Sequence, residues 1–495
     1  MADTANLAPQ EIQSRNFSLW LFASLLCAGF LLRLRLAWLT FLNPDEALHY
    51  FLSHQPSLKL AYKASLTTAH PPLMILFLHY WAYLGTSELW LRMPFVIAGT
   101  LFCWIMFLWI ATVASKRAAC FALALCSFLP SLISLSSEIR QYAFLLLFCA
   151  CCLYFLERAF QQNSSKWMLL SALALYLALL THYSALIFAV AVGVYALLRL
   201  REERPWPAIS IFWIAGQLGA IALCVSLYES QISNLEHAGV PSEIASTWLR
   251  TSIFHRGEDH LVLFAWTRTL RLFRYFFSHG TIGFLGFLLF VFAISLLLFF
   301  PRPALCKRRY PLAALLTSAF LITFLAALAG VYPYGGTRHD ILLAIFAILG
   351  IAIGFDQLNI RPAVLSCWLK PAIVAAALII CSFFQSPAGP YIRPRHQRRR
   401  LMHAATDLLN SLPADSAIFT DSQGSMVLNY YLCHETMRLP FAPGTNSLQV
   451  FRCGNHRLVA VDTLAGFDRN TFPDMLRRAW ESVPAETTLH MFQSG

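Results

Sequence analysis

Long apolar segments recur along the chain, and the short polar segments between them carry most of the basic residues. A helix of roughly 20 apolar residues, rising about 1.5 Å per residue, crosses the hydrocarbon core of a bilayer. The sequence is 58% hydrophobic and only 13% charged, whereas soluble domains carry about 25% charged residues. We therefore predict an α-helical polytopic membrane protein with about eleven spans, the first near residues 17–41 and the last near 371–385.

The distribution of charge predicts how the chain is oriented in the membrane. A formal net charge of +12 would suggest nucleic-acid binding in a soluble protein. Here the basic residues fall mainly between apolar runs, where they set orientation, so a nucleic-acid partner is rejected in favour of the lipid bilayer. Basic segments in the cytoplasm put the N-terminus inside, and only the cluster at 393–400, which could touch lipid headgroups, breaks the rule. The first apolar run lacks a cleavage site and should remain as a span.

This topology divides the chain into a tail, a membrane domain and a C-terminal domain. The predicted bounds are 1–16 for the cytoplasmic tail, 17–386 for the transmembrane domain with outer loops at 42–91 and 229–279, and 387–495 for an extracytoplasmic α/β domain. Within the outer loops, the segments 73–85 and 266–277 have patterns typical of helices that lie at the membrane surface. We assign these two segments to membrane contact.

Alternating helical and strand patterns predict the small C-terminal α/β unit. Its predicted helices are 402–412, 423–432 and 472–483, and its predicted strands are 417–421, 457–462 and 488–492. Most of the 13 cysteines lie inside apolar runs, where they act as small hydrophobic residues. Cys433 and Cys453 alone are predicted outside the membrane on the extracytoplasmic side, which makes a disulfide between them plausible.

Two adjacent acids, Asp45 and Glu46, follow the first span directly. A carboxylate at the mouth of a low-dielectric cavity can take a proton or hold a divalent cation, and its interactions strengthen as water is excluded. Both residues are therefore candidate catalytic groups. The structural alternative is that they cap a short helix that starts at Pro44.

Charged residues in two other outer turns are candidates for binding a substrate. Glu138 and Arg140 occupy the turn between two spans, and the fork of an arginine suits a phosphate because it donates two parallel hydrogen bonds. The alternative is a local ion pair that closes the turn. Arg338 follows two glycines that would let a phosphate approach the backbone, and its alternative is snorkelling at the end of a span.

Histidines and arginines near the outer ends of spans are weaker candidates. His70, before two prolines, could orient a ligand or a metal, but a lone histidine is more often a hydrogen-bonding group in a loop, and His182 is weaker still. Arg33 and Arg35 lie about 200° apart around a helix, so one of them could point into a cavity.

Several of these residues belong to ordered motifs between residues 33 and 158. The motifs are Asp45-Glu46-Ala47, His70-Pro71-Pro72-Leu73, Gly85-Thr86-Ser87-Glu88 with Arg92 and Pro94, and Glu138-Ile139-Arg140-Gln141-Tyr142. Together they resemble the polyprenyl-phosphate-sugar-dependent glycosyltransferases of the GT-C class, which include protein O-mannosyltransferases, aminoarabinose transferases and their bacterial relatives. The chain departs from the family pattern at Ser137, where a glutamine is usual, and at Ile139, where an alanine is usual.

The resemblance implies a GT-C-like membrane fold in a bacterial inner membrane, with the active site on the extracytoplasmic side. It implies that Asp45 acts as a base or cation ligand, that Arg338 contacts the lipid phosphate, and that the turn ending at Tyr142 binds substrate. The expected reaction is inverting transfer of a hexose or pentose, mannosyltransferase-like, from a polyprenyl-phosphate donor to a hydroxyl of a glycan, lipid or protein.

Two further expectations concern a metal and an alternative function. Glu46 or Glu138 could hold Mg²⁺ or Mn²⁺ against the donor phosphate. The main alternative function is a transporter or flippase of a lipid-linked sugar, because it would also need arginines in an outward cavity. Transporters usually place ionisable groups near the midplane and contain internal repeats, and the sequence shows neither.

Overall fold

The chain divides into two compact units. The first comprises Met1–Ala37, Ser65–Met74 and Arg92–Ile392, and the second comprises Trp38–Ala64, Ile75–Leu91 and Arg393–Gly495. A computed structural model describes residues 7–203, 207–237, 249–300, 308–358, 369–380, 389–433, 448–461, 472–485 and 487–492. The second unit therefore contains most of the predicted first outer loop together with the C-terminal region.

Helices dominate the described residues. In chain order they are α1 (Leu7–Leu39), α2 (Pro44–Ser53), α3 (Leu58–Ser65), α4 (Leu73–Ala82), α5 (Glu88–Val113), α6 (Lys116–Phe128), α7 (Pro130–Leu135), α8 (Tyr142–Gln162), α9 (Ser165–Leu179), α10 (Ala185–Glu203), α11 (Pro207–Leu227), α12 (Ser233–His237), α13 (Leu261–Phe277), α14 (Gly280–Phe299), α15 (Arg309–Leu328), α16 (Leu343–Gln357), α17 (Leu369–Ile380), α18 (Gly389–Asn410), α19 (Ser422–Leu428) and α20 (Phe472–Glu481). Single π-helical turns cover Tyr228–Ile232 and Asn429–Cys433, and 3₁₀ turns cover Arg250–Ser252 and Arg338–Leu342.

Among the residues that the structure describes, seven helices are long and apolar enough to cross a membrane, which confirms the predicted helical membrane class. They are Trp20–Leu39, Glu88–Val113, Tyr142–Gln162, Pro207–Glu236, Gly280–Phe299, Arg309–Leu328 and Arg338–Gln357. The other predicted spans are not among these seven helices, and the reasons are local. Pro130 divides the third into α6 and α7, because proline has no N–H to continue a helix. The charged residues 199–203 lie within α10, and α9 and α17 have only 15 and 12 residues.

A buried arginine joins α1 to neighbouring helices in the first unit. Arg33 Nε donates to Ser136 Oγ over 2.8 Å, and its Nη2 donates to the Cys126 carbonyl over 2.8 Å. A side chain at Gly99 would clash with Ser136, so the close approach of these helices requires glycine there. Arg33 therefore satisfies its donors on backbone and side-chain oxygens and fixes the turn that begins at Ser136.

A second group of buried charges lies near the C-terminal end of α8. Glu157 is 3.3 Å from Arg199 Nη2 and 3.6 Å from Arg308 Nη1, and the Tyr195 hydroxyl also donates to it. Glu157 and Arg199 are both fully buried. The apolar surroundings make these partners interdependent, because a buried charge without its partner is costly.

The C-terminal region confirms the predicted α/β unit. Its strands are β1 (Ala417–Asp421), β2 (Leu448–Cys453), β3 (His456–Val461) and β4 (Leu489–Met491), in the order β2-β3-β1-β4. Strand β1 runs parallel to β3 and β4, and β2 is antiparallel to β3. The helices α18 and α19 cover one face around Ile418, and α20 covers the other around Phe419.

The structure corrects two details of this unit. Strand β2 was not predicted, because it is an edge strand whose alternate residues are only partly buried and whose sequence is not a continuous apolar run. Helix α18 begins at Gly389 rather than at residue 402. Cys433 and Cys453 form the disulfide that was considered plausible.

One member of the basic cluster that broke the charge rule has a protein partner in the second unit. Arg399 Nε lies 2.7 Å from the buried carboxylate of Glu88, and its guanidinium lies 5.0 Å from the ring of Trp38. The hydroxyl of Tyr431 also donates to Glu88. Arg399 therefore binds an acid and an aromatic ring of the protein itself.

Candidate active site

The turn between α7 and α8 places two charged side chains in the interior of the first unit. Glu138 and Arg140 are both buried, and Arg140 Nε lies 3.9 Å from Glu138 Oε2. The Ser137 hydroxyl lies 3.0 Å from the Arg33 carbonyl oxygen, which ties the turn to α1. The ion pair considered as a local alternative is thus present. Burial strengthens its electrostatics, because the low dielectric screens charges weakly.

Four aromatic side chains from separate loops meet beside this turn. The ring of His182 lies 5.3 Å from those of both His70 and Tyr142, and 6.3 Å from that of His339. These contacts join the segment before α4, the start of α8, the turn between α9 and α10, and the turn before α16. We call His70, Tyr142, His182 and His339 the ring cluster. It brings the predicted candidates His70, Tyr142 and His182 into one place.

His182 is held in a single hydrogen-bonding state. Its Nδ1 accepts the Ser184 N–H over 3.1 Å, and the Ser184 hydroxyl lies 2.9 Å from the same nitrogen. The proton of the neutral ring therefore resides on Nε2. Burial lowers the pKa of His182 from 6.5 to about 4, so the ring is an uncharged N–H donor at neutral pH.

This pKa predicts a pH-dependent stability. The unfolded chain binds a proton at His182 near pH 6.5, but the folded protein binds it only near pH 4. The stabilisation is therefore fully present above pH 6.5 and is lost as the pH falls toward 4, by up to about 3 kcal/mol. Between pH 6.5 and pH 4, we expect the apparent unfolding temperature in detergent to fall less for the His182→Gln variant than for the wild type. Identical pH profiles for variant and wild type would contradict the assignment.

The turn before α16 is built around a buried acid. The Asp340 Oδ2 atom accepts from the N–H groups of Gly335, Gly336 and Thr337 over 3.1 to 3.2 Å, and also from the Thr337 hydroxyl. The two glycines have positive φ values, and a Cβ on Gly336 would lie 2.5 Å from the Arg271 carbonyl oxygen. The glycine N–H groups therefore bind Asp340, which corrects the expectation that they receive a phosphate.

The phenol of Tyr275, on α13, is influenced by charged groups of both turns. Burial raises its pKa, Tyr142, Glu138 and Asp340 raise it further, and Arg338 opposes them. Arg338, which is half-buried, therefore lies in the same electrostatic environment as Glu138. The rings of Tyr142 and His339 lie 6.4 Å apart, so the two turns that were predicted to carry substrate-binding charges are neighbours within the first unit.

A buried glutamine holds the segment that presents His70. The Gln231 amide nitrogen lies 2.9 Å from the His70 carbonyl oxygen and 2.6 Å from that of Thr68, and the Tyr183 hydroxyl donates to Gln231 Oε1 over 2.6 Å. Gln231 lies in the π-helical turn Tyr228–Ile232, an irregularity that often marks functional sites. The position of His70 therefore depends on α11 and on the turn after α9.

The two adjacent acids belong to the second unit. Asn43 is the N-cap of α2: its side chain accepts the Glu46 N–H over 3.1 Å, and Glu46 Oε2 accepts the Asn43 N–H over 3.0 Å. Glu46 therefore completes a capping box, as the structural alternative predicted. Asp45 is half-buried in the first turn of α2. That Asp45 acts as a base or cation ligand stays a prediction.

The acids predicted to hold Mg²⁺ or Mn²⁺ each have a protein partner in this structure. Glu46 caps α2, and Glu138 pairs with Arg140. Across the residues that the structure describes, no three His, Cys, Asp or Glu side chains are grouped so that they could hold a metal ion. A divalent cation of this kind takes about six oxygen ligands, several of them from water or substrate, so binding of Mg²⁺ or Mn²⁺ by Glu46 or Glu138 stays a prediction.

Sequence reasoning missed three groups of this site. His339 and Asp340 were seen only as part of the turn that carries Arg338, although Thr337 and Asp340 have capping-box spacing, a local signal. Gln231 lies in the polar π-helical turn Tyr228–Ile232 just after α11, and nothing in its neighbours indicates a contact with residues 65–70. Long-range contacts of this kind leave no periodic pattern.

Comparison with known proteins bears on the predicted resemblance. Residues 69–228 match the family model for dolichyl-phosphate-mannose-protein mannosyltransferase. The matched region contains His70, Glu138, Arg140, Tyr142 and His182, and it confirms the resemblance over about a third of the chain. No curated protein sequence matches the chain.

Three solved structures are similar to the chain at low identity. ArnT from Cupriavidus metallidurans bound to undecaprenyl phosphate is 16% identical, with 83% of this chain and 84% of that chain covered and a TM-score of 0.49. The apo state of the same protein is 15% identical, with 80% and 70% covered and a TM-score of 0.47. The archaeal oligosaccharyltransferase AglB from Archaeoglobus fulgidus, with an inhibitory peptide and a dolichol-phosphate, is 11% identical, with 84% and 64% covered and a TM-score of 0.46.

Proposed function

We propose that the protein is an inverting glycosyltransferase. It moves a monosaccharide, a hexose or a pentose, from a polyprenyl-phosphate donor to a hydroxyl of a glycan, lipid or protein on the extracytoplasmic face of the membrane. The observation that carries this proposal is the meeting of the ring cluster with the turns of Arg140 and Arg338 in the first unit. The family match over residues 69–228 supports the same donor chemistry.

The proposed reaction is a single displacement. The oxygen of the acceptor hydroxyl attacks the anomeric carbon of the sugar, and the bond from that carbon to the phosphate oxygen breaks with inversion. The phosphate leaves with the bonding electron pair, and the hydroxyl proton passes to the carboxylate of Asp45. The guanidinium groups of Arg140 and Arg338 stabilise the charge that develops on the leaving phosphate.

The structure suggests separate roles for the other candidate acids. Glu46, which completes the capping box, orients α2 and so presents Asp45. Glu138 lies 3.9 Å from Arg140 and holds its guanidinium in place. We propose both as positioning residues rather than groups that contact the reacting atoms.

The cellular location forms part of the proposal. The disulfide between Cys433 and Cys453 lies in the second unit, which also contains Asp45. Disulfides persist in oxidising compartments such as the bacterial periplasm. We therefore propose that both lie outside the cytoplasm, in a protein of a bacterial inner membrane.

Incubation of the purified protein with labelled polyprenyl-phosphate sugars tests the function. We expect at least one donor from a panel carrying mannose, glucose, galactose or aminoarabinose to lose its sugar to a hydroxyl acceptor from the host membrane and to release polyprenyl phosphate. Nuclear magnetic resonance of the product should show the inverted anomer. Failure of every donor with folded protein, or retention of configuration, would refute the proposal.

Replacement of Arg140 by lysine should lower kcat/KM for the lipid donor by about 100-fold. Lysine keeps the positive charge beside Glu138 but lacks the planar fork that binds two phosphate oxygens at once. Arg274→Lys, at an exposed position on α13, is the matched control and should change kcat/KM by less than about twofold. Equal activity of the two folded variants would exclude Arg140 from phosphate binding.

A further inference from the structure

Two buried polar side chains, His182 of the ring cluster and Gln141 next to Tyr142 in the sequence, have hydrogen-bonding atoms that no described residue satisfies. Gln141 is 0% exposed and His182 is 3% exposed. Among the described residues, none forms a hydrogen bond with Gln141 Nε2, Gln141 Oε1 or His182 Nε2. Gln141 precedes Tyr142, whose ring lies 5.3 Å from that of His182. Buried polar atoms without partners are rare in folded proteins, and a bound molecule that completes the hydrogen bonds is one explanation for them.

These atoms are uncharged, and they include both hydrogen-bond donors and an acceptor. His182 presents one N–H donor, because its Nδ1 accepts the Ser184 N–H. The Gln141 amide presents both donors and an acceptor. These groups differ from the guanidiniums of Arg140 and Arg338, which are permanently charged donors that match a phosphate.

A sugar ring matches this combination. Each hydroxyl of a sugar both donates and accepts a hydrogen bond, and the C–H faces of the ring are apolar enough to pack against aromatic side chains. Small-molecule sites commonly combine such apolar walls with a few placed polar groups. An ammonium group, in contrast, has no lone pair for the N–H of His182 to bind.

We propose that Gln141 and His182 bind the sugar of the lipid donor, whereas Arg140 and Arg338 bind its phosphate. The sugar that fits is uncharged at this position, with an oxygen that accepts from His182 Nε2 and a hydroxyl that bonds to the Gln141 amide. This inference rests on the proposed function and deepens it, because it separates recognition of the sugar from recognition of the phosphate.

The test compares two lipids that differ only in the sugar. Affinities of purified protein in detergent are measured for undecaprenyl phosphate and for undecaprenyl-phosphate mannose, glucose, galactose and aminoarabinose. We expect the wild type to bind one neutral sugar lipid more tightly than undecaprenyl phosphate. Gln141→Met, which keeps the volume and removes the amide, should weaken binding of that sugar lipid about tenfold or more and change binding of undecaprenyl phosphate less than twofold.

A matched pair at His182 distinguishes binding from a structural role. In the His182→Gln variant, the side-chain amide can reach the position that Nε2 occupies in the wild type. In the His182→Asn variant, the shorter amide reaches only the position of Nδ1, beside Ser184. We expect His182→Gln to retain most of the preference for the sugar lipid and His182→Asn to lose it. Both variants should bind undecaprenyl phosphate like the wild type.

Three results would overturn the inference. Equal weakening of both lipids by Gln141→Met would make the role structural, and equal behaviour of His182→Gln and His182→Asn would exclude the Nε2 donor. Binding of undecaprenyl phosphate without preference for any neutral sugar lipid would refute sugar recognition but leave the lipid-phosphate site intact. Binding of none of the lipids by the wild type would instead refute the proposed function, and the inference with it.

Discussion

Replacement of Asp45 by asparagine is expected to lower sugar transfer by about 10²- to 10⁴-fold, the range typical of a lost general base. An asparagine keeps the size of the side chain and is compatible with the first turn of α2, but its amide cannot accept the proton of the acceptor hydroxyl. The measurement is kcat with a labelled polyprenyl-phosphate sugar at saturating donor concentration. Binding of the donor lipid should be nearly unchanged.

The neighbouring acid provides the matched control for this experiment. Glu46→Gln retains a side chain that can complete the capping box, since glutamine serves as well as glutamate at that position. We expect this variant to keep transfer within about threefold of the wild type, because the helix start is preserved. Transfer at the wild-type rate by a folded Asp45→Asn protein would remove the proposed base.

Replacement of Glu157 by alanine is expected to destabilise the protein by about 3–5 kcal/mol. The substitution leaves Arg199 fully buried without the carboxylate that lies 3.3 Å from it, and it also removes the acceptor of the Tyr195 hydroxyl. The measurement is a denaturation midpoint in detergent. Folded protein should retain its affinity for the donor lipid, because Glu157 lies fifteen residues, or roughly 22 Å, from Tyr142 along α8.

A second acid that binds Arg199 shows whether burial of the acid, and not its charge alone, determines how much it stabilises the protein. Glu203 lies 2.7 Å from Arg199 Nη1 but is 37% exposed. We expect Glu203→Ala to cost less than about 1 kcal/mol. Similar losses of stability for the two variants would mean that burial does not determine how much Glu157 contributes to stability.

Local patterns in the sequence predicted the parts of the molecule that depend on neighbouring residues. The apolar runs predicted the long helices, because the length of an apolar segment is a local property. The short helix that starts at Pro44, with an acid capping it, and the turn from Ser136 to Tyr142 were also predicted from local patterns. The strand β1 was predicted with its observed bounds, since all five of its residues are buried and it begins with the apolar run from Ala417 to Phe419.

Features that depend on contacts between distant segments could not be predicted. The ring cluster joins four loops whose sequences carry no shared pattern, and the glycines at 335 and 336 were compatible with a phosphate as well as with Asp340. Glu88 was recognised as a motif residue, but its partner Arg399 lies more than 300 residues further along the chain. Periodicity cannot encode such pairs.

We propose that the acid of α2 and the arginines of the first unit act on one lipid-linked sugar. The most direct test places the photoreactive amino acid benzoylphenylalanine at position 45 and identifies its cross-links by mass spectrometry, after irradiation in membranes that contain the donor lipid. We expect cross-links to peptides that contain residues 136–142 or 335–342. Cross-links confined to other segments of the chain would contradict this proposal.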